Sequence, residues 1–233
     1  MRGLGVDAAG GFGWVGVLVD DAGFAGAVVA TDLVALIQQA EAASPVDDPV
    51  AAIGVDIPIG LLEASKRSVD IQMRMFVGPR RSSVFWAPHR SALDFATQSE
   101  ANAHLESIGM MKVSAQAMGL MSRIRETRPV AASDPRVFEA FPEASFRQLA
   151  GAGLAHAKKS AAGSLHRLQL LESATPPIVL PAELGDAGRV PLDDLFDAAA
   201  AAWSAWRRGR GDAIVFGDPD EVDPSTGRIA VWV

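Results

Sequence analysis

The chain has 233 residues, 49% of them hydrophobic, which is enough for one large folded domain and excludes a wholly disordered protein. It has no cysteine, which excludes disulfides, thiolate metal sites and a cysteine nucleophile. The formal net charge of -7 argues against a basic nucleic-acid-binding surface over the whole molecule. The sequence enters a strand pattern directly and has no apolar run of membrane-spanning length, so we expect a cytoplasmic protein without membrane contact.

The first third of the chain predicts a three-stranded meander, a helix and a buried strand. Segments at 2–8, about 13–20 and 24–29 predict its three strands, with glycines in the first turn and Asp20-Asp21-Ala22-Gly23 in the second. Thr31 is a favourable N-cap for the next segment, in which apolar residues recur at helical spacing. Residues 51–56 are continuously apolar, as is typical of a strand buried on both faces.

The rest of the chain predicts a helical middle and a mixed C-terminal part. Residues 62–130 have mostly helical spacing and predict an insertion or lid within a single domain of residues 1–233. The segments that follow are a strand at 136–140, a helix opened by Pro142, helices at about 160–173 and 191–208, and two short strands at about 212–216 and 228–232.

Acidic residues stand at the ends of predicted strands or on the flank of the last predicted helix. They are Asp7, Asp56, Glu139 with Glu143 just beyond, and the group Asp193, Asp194 and Asp197. An acid at the end of a buried strand is held rigidly at the rim of a sheet, where several acids can converge on a hard cation. The pattern therefore predicts a metal-binding carboxylate cluster.

Each of these acids also has a purely structural interpretation. Asp7 and Asp56 could serve as turn or capping residues, and Glu139 could be a buried acid paired with a cation. Glu143 could simply complement the positive end of a helix, and Asp193 has the position of a first-turn acid with the same role. The sequence leaves these alternatives open.

Basic residues are concentrated away from the acidic C-terminal part. Six cations lie between Lys66 and Arg90 against one acid, whereas ten acids and four cations lie between Glu183 and Asp223. A basic face beside a carboxylate cluster suits a phosphate-rich ligand, although a solvated surface with ordinary ion pairs explains the pattern equally well. Lys158 and Lys159 have the same two interpretations, contact with phosphate or a solvated helix start.

Seven short motifs follow one another along almost the whole chain. They are Gly5-Val6-Asp7 with Gly13-Trp14; Asp56-Ile57-Pro58-Ile59-Gly60-Leu61; Arg67-x-x-Asp70-x-x-x-Arg74; Gly78-Pro79-Arg80-Arg81-Ser82-Ser83-Val84-Phe85; Glu139-x-x-Pro142-Glu143-x-x-Phe146; Lys158-Lys159 with Gly163 and Arg167; and Asp193-Asp194-x-x-Asp197-Ala198. In these motifs and in its order of elements, the chain resembles domain-of-unknown-function family 429, described as predicted nucleases of ribonuclease H-like fold.

The resemblance implies an α/β fold with a mixed five-stranded ribonuclease H-like sheet flanked by helices, and metal-dependent phosphodiester hydrolysis with one or two Mg²⁺ or Mn²⁺ ions. The implied catalytic residues are Asp7, Asp56, Glu139, Glu143 and Asp197, and the implied metal ligands are Asp7, Asp56, Asp194 and Asp197. The implied substrate-binding residues are Arg67, Arg74, Arg80, Arg81, Lys158, Lys159 and Arg167, which would contact a phosphate-rich substrate such as nucleic acid.

The chain departs from the family pattern at two positions. Where the family usually has Glu-x-His-Pro-Glu, the residue before Pro142 is Phe141, which can neither accept a proton nor orient a ligand. The acid that usually stands two positions after Glu126 is replaced by Arg128. A base or second carboxylate at these places is therefore missing from this member.

Three classes of function are compatible with the sequence. The leading one is a metal-dependent nuclease or phosphodiesterase. The second is a non-catalytic module that binds a nucleotide, nucleic acid or protein through the acidic cleft or the arginine cluster. The third is an actin-like or sugar-kinase-like phosphotransferase, although the usual duplicated two-domain body does not fit 233 residues.

Overall fold

The computed structural model describes residues 1–63 and 66–233. Within these ranges the helices are α1 (Leu33–Ala42), α2 (Ser68–Val77), α3 (Gln98–Ser107), α4 (Ala115–Gly119), α5 (Met121–Ser133), α6 (Pro142–Ala150), α7 (Ala161–Glu172) and α8 (Leu192–Arg210). The strands are β1 (Arg2–Ala8), β2 (Trp14–Asp20), β3 (Gly23–Ala30), β4 (Val50–Val55), β5 (Val137–Ala140), β6 (Val215–Phe216), β7 (Val222–Asp223), β8 (Gly227–Arg228) and β9 (Val231–Trp232).

The described strands form a mixed α/β architecture around one seven-stranded sheet. The strand order is β3-β2-β1-β4-β5-β9-β6, and a separate two-stranded sheet pairs β7 with β8. The four central strands are parallel to one another, in the order β1, β4, β5 and β9. Antiparallel pairing adds β2 to β1 and β3 to β2 on one side, and β6 to β9 on the other. The three-stranded meander is confirmed.

The prediction of five strands in the sheet is wrong. The sequence predicts two short strands near the C-terminus but does not assign them to the main sheet. β9 pairs with β5, with Glu139 opposite Val231, and β6 then pairs with β9. Their addition has a physical reason, because β5 is only four residues long and its exposed edge would otherwise present unpaired backbone groups.

Helices cover both faces of the sheet. On one face, Leu4 and Val6 of β1 belong to a core that includes α1 and α5 residues, and Leu33 and Ile124 are fully buried there. The opposite face packs against α6, α7 and α8 through a second core. Burial on both faces explains why β4 is apolar throughout rather than alternating.

Helix boundaries follow the predicted ones closely, with one error in capping. Asp32, rather than the predicted Thr31, is the N-cap of α1, and its Oδ1 accepts a hydrogen bond from the Ala35 backbone at 2.8 Å. Either residue type caps a helix well, so sequence preference alone could not separate two adjacent candidates. Ser160 caps α7 in the same way, through Gly163.

Between β4 and β5 the chain is mainly helical, with α2 to α5 joined by irregular segments. Two residues of the predicted insertion at 62–130, Ala64 and Ser65, lie outside the described residues. Among the helices of residues 1–63 and 66–233, none is long and apolar enough to cross a membrane.

Candidate metal site

Three aspartates from different elements meet at one edge of the sheet. Asp7 lies near the end of β1, and Asp56 directly follows β4, where its backbone N–H donates to the Val6 carbonyl at 2.9 Å. Asp197 lies in the second turn of α8. One carboxylate oxygen of each residue lies within 4.8 Å of the others. This group, the aspartate triad, could hold a metal ion.

Glycine in β1 makes this approach of α8 to the sheet possible. A Cβ atom on Gly5 would lie only 2.0 Å from the Ala202 backbone nitrogen and 2.1 Å from the Ala198 carbonyl oxygen. Any larger residue would therefore push the helix away. Since Gly5 is two residues before Asp7 and Ala198 is next to Asp197, the same close contact brings the two carboxylates together.

The triad is electrostatically unfavourable without a cation. Burial, followed by the charges of Asp56 and Asp197, raises the pKa of Asp7 well above its usual value. Burial and Asp197 raise the pKa of Asp56 to about 8, and burial raises that of Asp197 to about 6. Because a bound cation stabilises the ionised forms, these carboxylates are suited to metal binding at neutral pH.

Lys158 partly supplies the missing positive charge. Its Nζ donates to Asp197 Oδ2 at 2.5 Å and lies 4.0 Å from Asp193 Oδ2. Burial alone would lower the pKa of this lysine, but the neighbouring carboxylates, Asp197 foremost, outweigh burial and raise it. The neighbouring Lys159 is largely exposed and lies 3.8 Å from Asp193.

Glu139 lines the same cleft, but cations and backbone donors already occupy its oxygens. Oε2 accepts from the Ile59 N–H and from Arg67 Nη1, both at 2.8 Å, and Oε1 accepts from Arg67 Nη2 at 2.8 Å. Arg67 is buried and is also paired with Asp70. Burial still raises the pKa of Glu139 despite this partner.

Glu143 is held by a different arginine. Its Oε2 accepts from Arg167 Nη2 at 2.6 Å, and Arg167 is almost fully buried behind it. Its Oε1 lies 3.6 Å from Arg80 Nε, and within the described part of the chain this buried oxygen has no hydrogen-bond partner. Glu143 is therefore hydrogen-bonded on one side only, and its other oxygen lies within ion-pair distance of Arg80.

A cleft of about 520 Å³ contains the triad and most of the predicted site residues. Those that line it are Asp7, Asp56, Arg67, Arg80, Glu139, Glu143, Lys158, Lys159, Asp194 and Asp197. Asp194 lies at the cleft but outside the group of three mutually close acids. Phe141, in the place of the family histidine, also lines the cleft.

Three of the predicted substrate-binding arginines are not among the cleft-lining residues. Arg74 donates to the Val84 carbonyl at 2.5 Å and lies against the Trp86 ring. Arg81 is exposed on the surface, and Arg167 is buried behind Glu143 as described above. The predicted cations thus do not form one uniform positive face, because several of them neutralise particular acids.

Sequence reasoning missed one ion pair that fixes the segment after Asp56. Arg128 Nη1 donates to Asp223 Oδ2 and to the Ile59 carbonyl, both at 2.6 Å, and the same Asp223 oxygen accepts from the Leu61 N–H at 2.8 Å. The pair is buried, and its hydrogen bonds to Ile59 and Leu61 fix the backbone of the segment that follows Asp56. Its members are 95 residues apart, so no local pattern could have revealed it.

The donor set fits a hard divalent cation. Carboxylate oxygens on rigid elements are the ligands preferred by Mg²⁺, Mn²⁺ and Ca²⁺, and the raised pKa values indicate a local excess of negative charge that such an ion would offset.

A family model described as "Protein of unknown function (DUF429)" matches residues 5–222 of the chain. No curated protein and no solved structure matches the chain. The matched range includes the whole triad and extends from the second half of β1 beyond the end of α8. The chain therefore belongs to the DUF429 family of proteins of unknown function.

Proposed function

We propose that this protein is a metal-dependent phosphodiester hydrolase, a nuclease, with one or two Mg²⁺ or Mn²⁺ ions held by the aspartate triad. The observation that carries the proposal is the convergence of Asp7, Asp56 and Asp197 within 4.8 Å at the edge of a large cleft. Phosphoryl chemistry commonly uses carboxylate-bound divalent ions in such clefts. Asp194 is close enough to raise the pKa of Asp7 and is a further candidate ligand.

The strand arrangement supports a ribonuclease H-like fold as part of this proposal. An antiparallel meander, β3-β2-β1, continues into the parallel strands β4 and β5, and α8 packs across β1. In such a fold the carboxyl ends of the first and fourth strands meet beside the last helix. That is the position of the triad in this chain.

The protein's own residues would divide the work of binding and orientation. A bound divalent ion supplies an activated water and offsets charge on the leaving oxygen. Arg80, Lys158 and Lys159 line the cleft and are placed to contact substrate phosphates. Glu143 lines the cleft and holds Arg80 there through an ion pair, while Glu139 and Arg67 form a buried ion pair in the cleft wall.

The test is an activity screen with Mg²⁺ and with Mn²⁺ over single-stranded, duplex and branched nucleic acids and cyclic dinucleotides. We expect metal-dependent cleavage of at least one of these substrates by the wild-type chain and none by Asp7→Asn. Asp47→Asn, which changes an exposed acid before β4, is the matched control and should remain active. Cleavage that survives Asp7→Asn or chelation of the metal would refute the proposal.

One observation favours a second candidate, a non-catalytic module that binds a nucleotide or nucleic acid. Lys158 already neutralises part of the negative charge of the triad, which is the arrangement that a module without a metal would need. Metal binding or nucleotide binding without any turnover would support this candidate. ATP turnover would instead favour the phosphotransferase alternative.

A further inference from the structure

A second cavity adjoins the cleft. It has a volume of about 200 Å³ and lies between residues 85–89 on one side and residues 110–114 with Gln116 on the other. We call it the side pocket. Phe85 and Gln116 line both the side pocket and the cleft, so the two cavities adjoin at these residues.

The walls of the side pocket are aromatic and thioether groups with a few polar groups among them. Phe85, Trp86, Met110 and Met111 provide the apolar surface, and His89 lies at the polar part of the lining. Flat apolar walls with sparse polar groups are typical of sites for heteroaromatic rings. The volume is smaller than the roughly 300 Å³ of the smallest pockets for drug-sized ligands, which suits a single ring system.

Hydrogen bonds to backbone atoms hold both walls in place. On one side, the Ala87 N–H donates to buried Asp70 at 3.1 Å. On the other side, the Val113 N–H donates to Asn102 Oδ1 at 2.7 Å, and its carbonyl accepts from Gln98 at 3.0 Å. The pocket is therefore pre-formed, and a ligand would not have to order its walls.

Positive charge lies beside the aromatic wall. Lys66 Nζ is 4.3 Å and Arg74 Cζ is 4.8 Å from the centroid of the Trp86 ring. Both cations thus lie at the tryptophan that lines the side pocket, and Arg80 lines the adjoining cleft together with the triad. An anionic group joined to a ring in the side pocket would therefore have cations near it.

We propose that the side pocket holds the base of a nucleotide whose phosphate lies in the cleft, so that the substrate is presented unpaired. This inference rests on the proposed phosphodiester chemistry. Bases inside a duplex are stacked and cannot enter a pocket unless they are flipped out, which costs stacking and pairing energy. A single strand and a free nucleotide both offer an unstacked base, and the assay separates them.

The experiment measures how much the bases contribute to binding. Fluorescence anisotropy gives the Kd of a short single strand and of an abasic strand of the same length, in Ca²⁺ buffer with strand integrity checked afterwards. The base contribution is the ratio of the abasic Kd to the normal Kd. A base–aromatic stack is worth about 1–3 kcal/mol, so we expect a ratio of roughly tenfold for the wild-type chain.

Two truncated pocket variants, one conservative pocket variant and one control decide the result. The ratio should fall to about one in Trp86→Ala and decrease in Met111→Ser, whose side chain is 39% exposed and can be shortened without disturbing the core. Trp206→Ala removes another partly buried tryptophan, on α8, that also lies against an arginine, and should keep the wild-type ratio. Trp86→Phe should restore most of the base contribution, because a smaller aromatic ring still stacks.

A ratio near one in the wild-type chain, or an unchanged ratio in both truncated pocket variants, would overturn the side-pocket proposal. A mononucleotide that competes as well as the strand would identify the free nucleotide as the source of the base. Failure of the nuclease proposal would appear separately, as absence of cleavage in the Mg²⁺ and Mn²⁺ screen. The two results are distinguishable because the binding ratio does not depend on turnover.

Discussion

Replacement of Asp56 by asparagine should stabilise the metal-free protein above neutral pH. Burial and Asp197 raise the pKa of Asp56 to about 8, from an ordinary value of about 3.9. Between a pH of about 3.9 and a pH of about 8, Asp56 is protonated in the folded state and ionised in the unfolded state. The stabilising contribution of protonated Asp56 is therefore lost as the pH rises towards about 8. Asparagine keeps a neutral group of similar shape at every pH and removes this penalty.

The pKa gives an upper limit for the effect. One pKa unit corresponds to about 1.4 kcal/mol, so ionising Asp56 near pH 8 costs at most about 5 kcal/mol of folding free energy. Asp56 is partly exposed at the cleft, and water there screens much of the repulsion. We therefore expect Asp56→Asn to raise the free energy of unfolding by about 2 kcal/mol near pH 8, and by less than about 1 kcal/mol near pH 5.

The assay is urea denaturation in the presence of a chelator at both pH values, repeated with Mg²⁺ and Mn²⁺. Added metal should stabilise the wild-type chain by about 3 kcal/mol at a hundredfold excess over Kd and should leave Asp56→Asn almost unchanged. Asp47→Asn should behave like wild type throughout. A loss of stability in metal-free Asp56→Asn near pH 8, or a gain of equal size at both pH values, would refute the crowded-carboxylate reasoning.

Three further changes test other parts of the site. Lys158→Met should raise the affinity for Mg²⁺ about tenfold in a calorimetric titration, because the ion no longer competes with an ammonium group for Asp197. Weaker binding would contradict this competition and show that the lysine supports metal binding. Arg67→Leu should lower the free energy of unfolding by about 3–5 kcal/mol, because buried Glu139 loses its partner, and a near-neutral result in urea would contradict the role assigned to this pair. If the substrate is a polynucleotide, replacing Arg80 and Arg81 by alanine should weaken binding similarly across sequences and flatten its salt dependence, whereas an unchanged slope would make both ordinary surface residues.

Much of the fold could be predicted from the sequence because its signals are local. The strands of the meander, the continuous apolar run of β4 and the helix opened by Pro142 each depend on neighbouring residues, and their positions are confirmed. The pairing of β9 with β5 could not be read in the same way, because two-residue strands carry almost no pattern of their own. Pairing of such strands depends on the edge that they cover.

The convergence of the site was predictable from its strand-end acids, whereas the partners of those acids were not. Asp7 lies near the end of β1 and Asp56 directly follows the adjacent parallel strand β4, so the two carboxylates meet as expected. By contrast, the ion pairs Arg128–Asp223 and Arg67–Glu139 join distant parts of the chain. Such pairs follow from burial of charge, which appears only once the chain is folded.

The most direct test of the metal site is the anomalous difference map of a crystal grown or soaked with Mn²⁺. We expect one strong peak, or two neighbouring peaks, between the carboxylates of Asp7, Asp56 and Asp197, at about 2.0–2.3 Å from their oxygens. The Lys158 ammonium should then have moved away from Asp197. A fully formed cleft with no manganese at these three carboxylates, at a concentration that saturates binding in solution, would contradict the account.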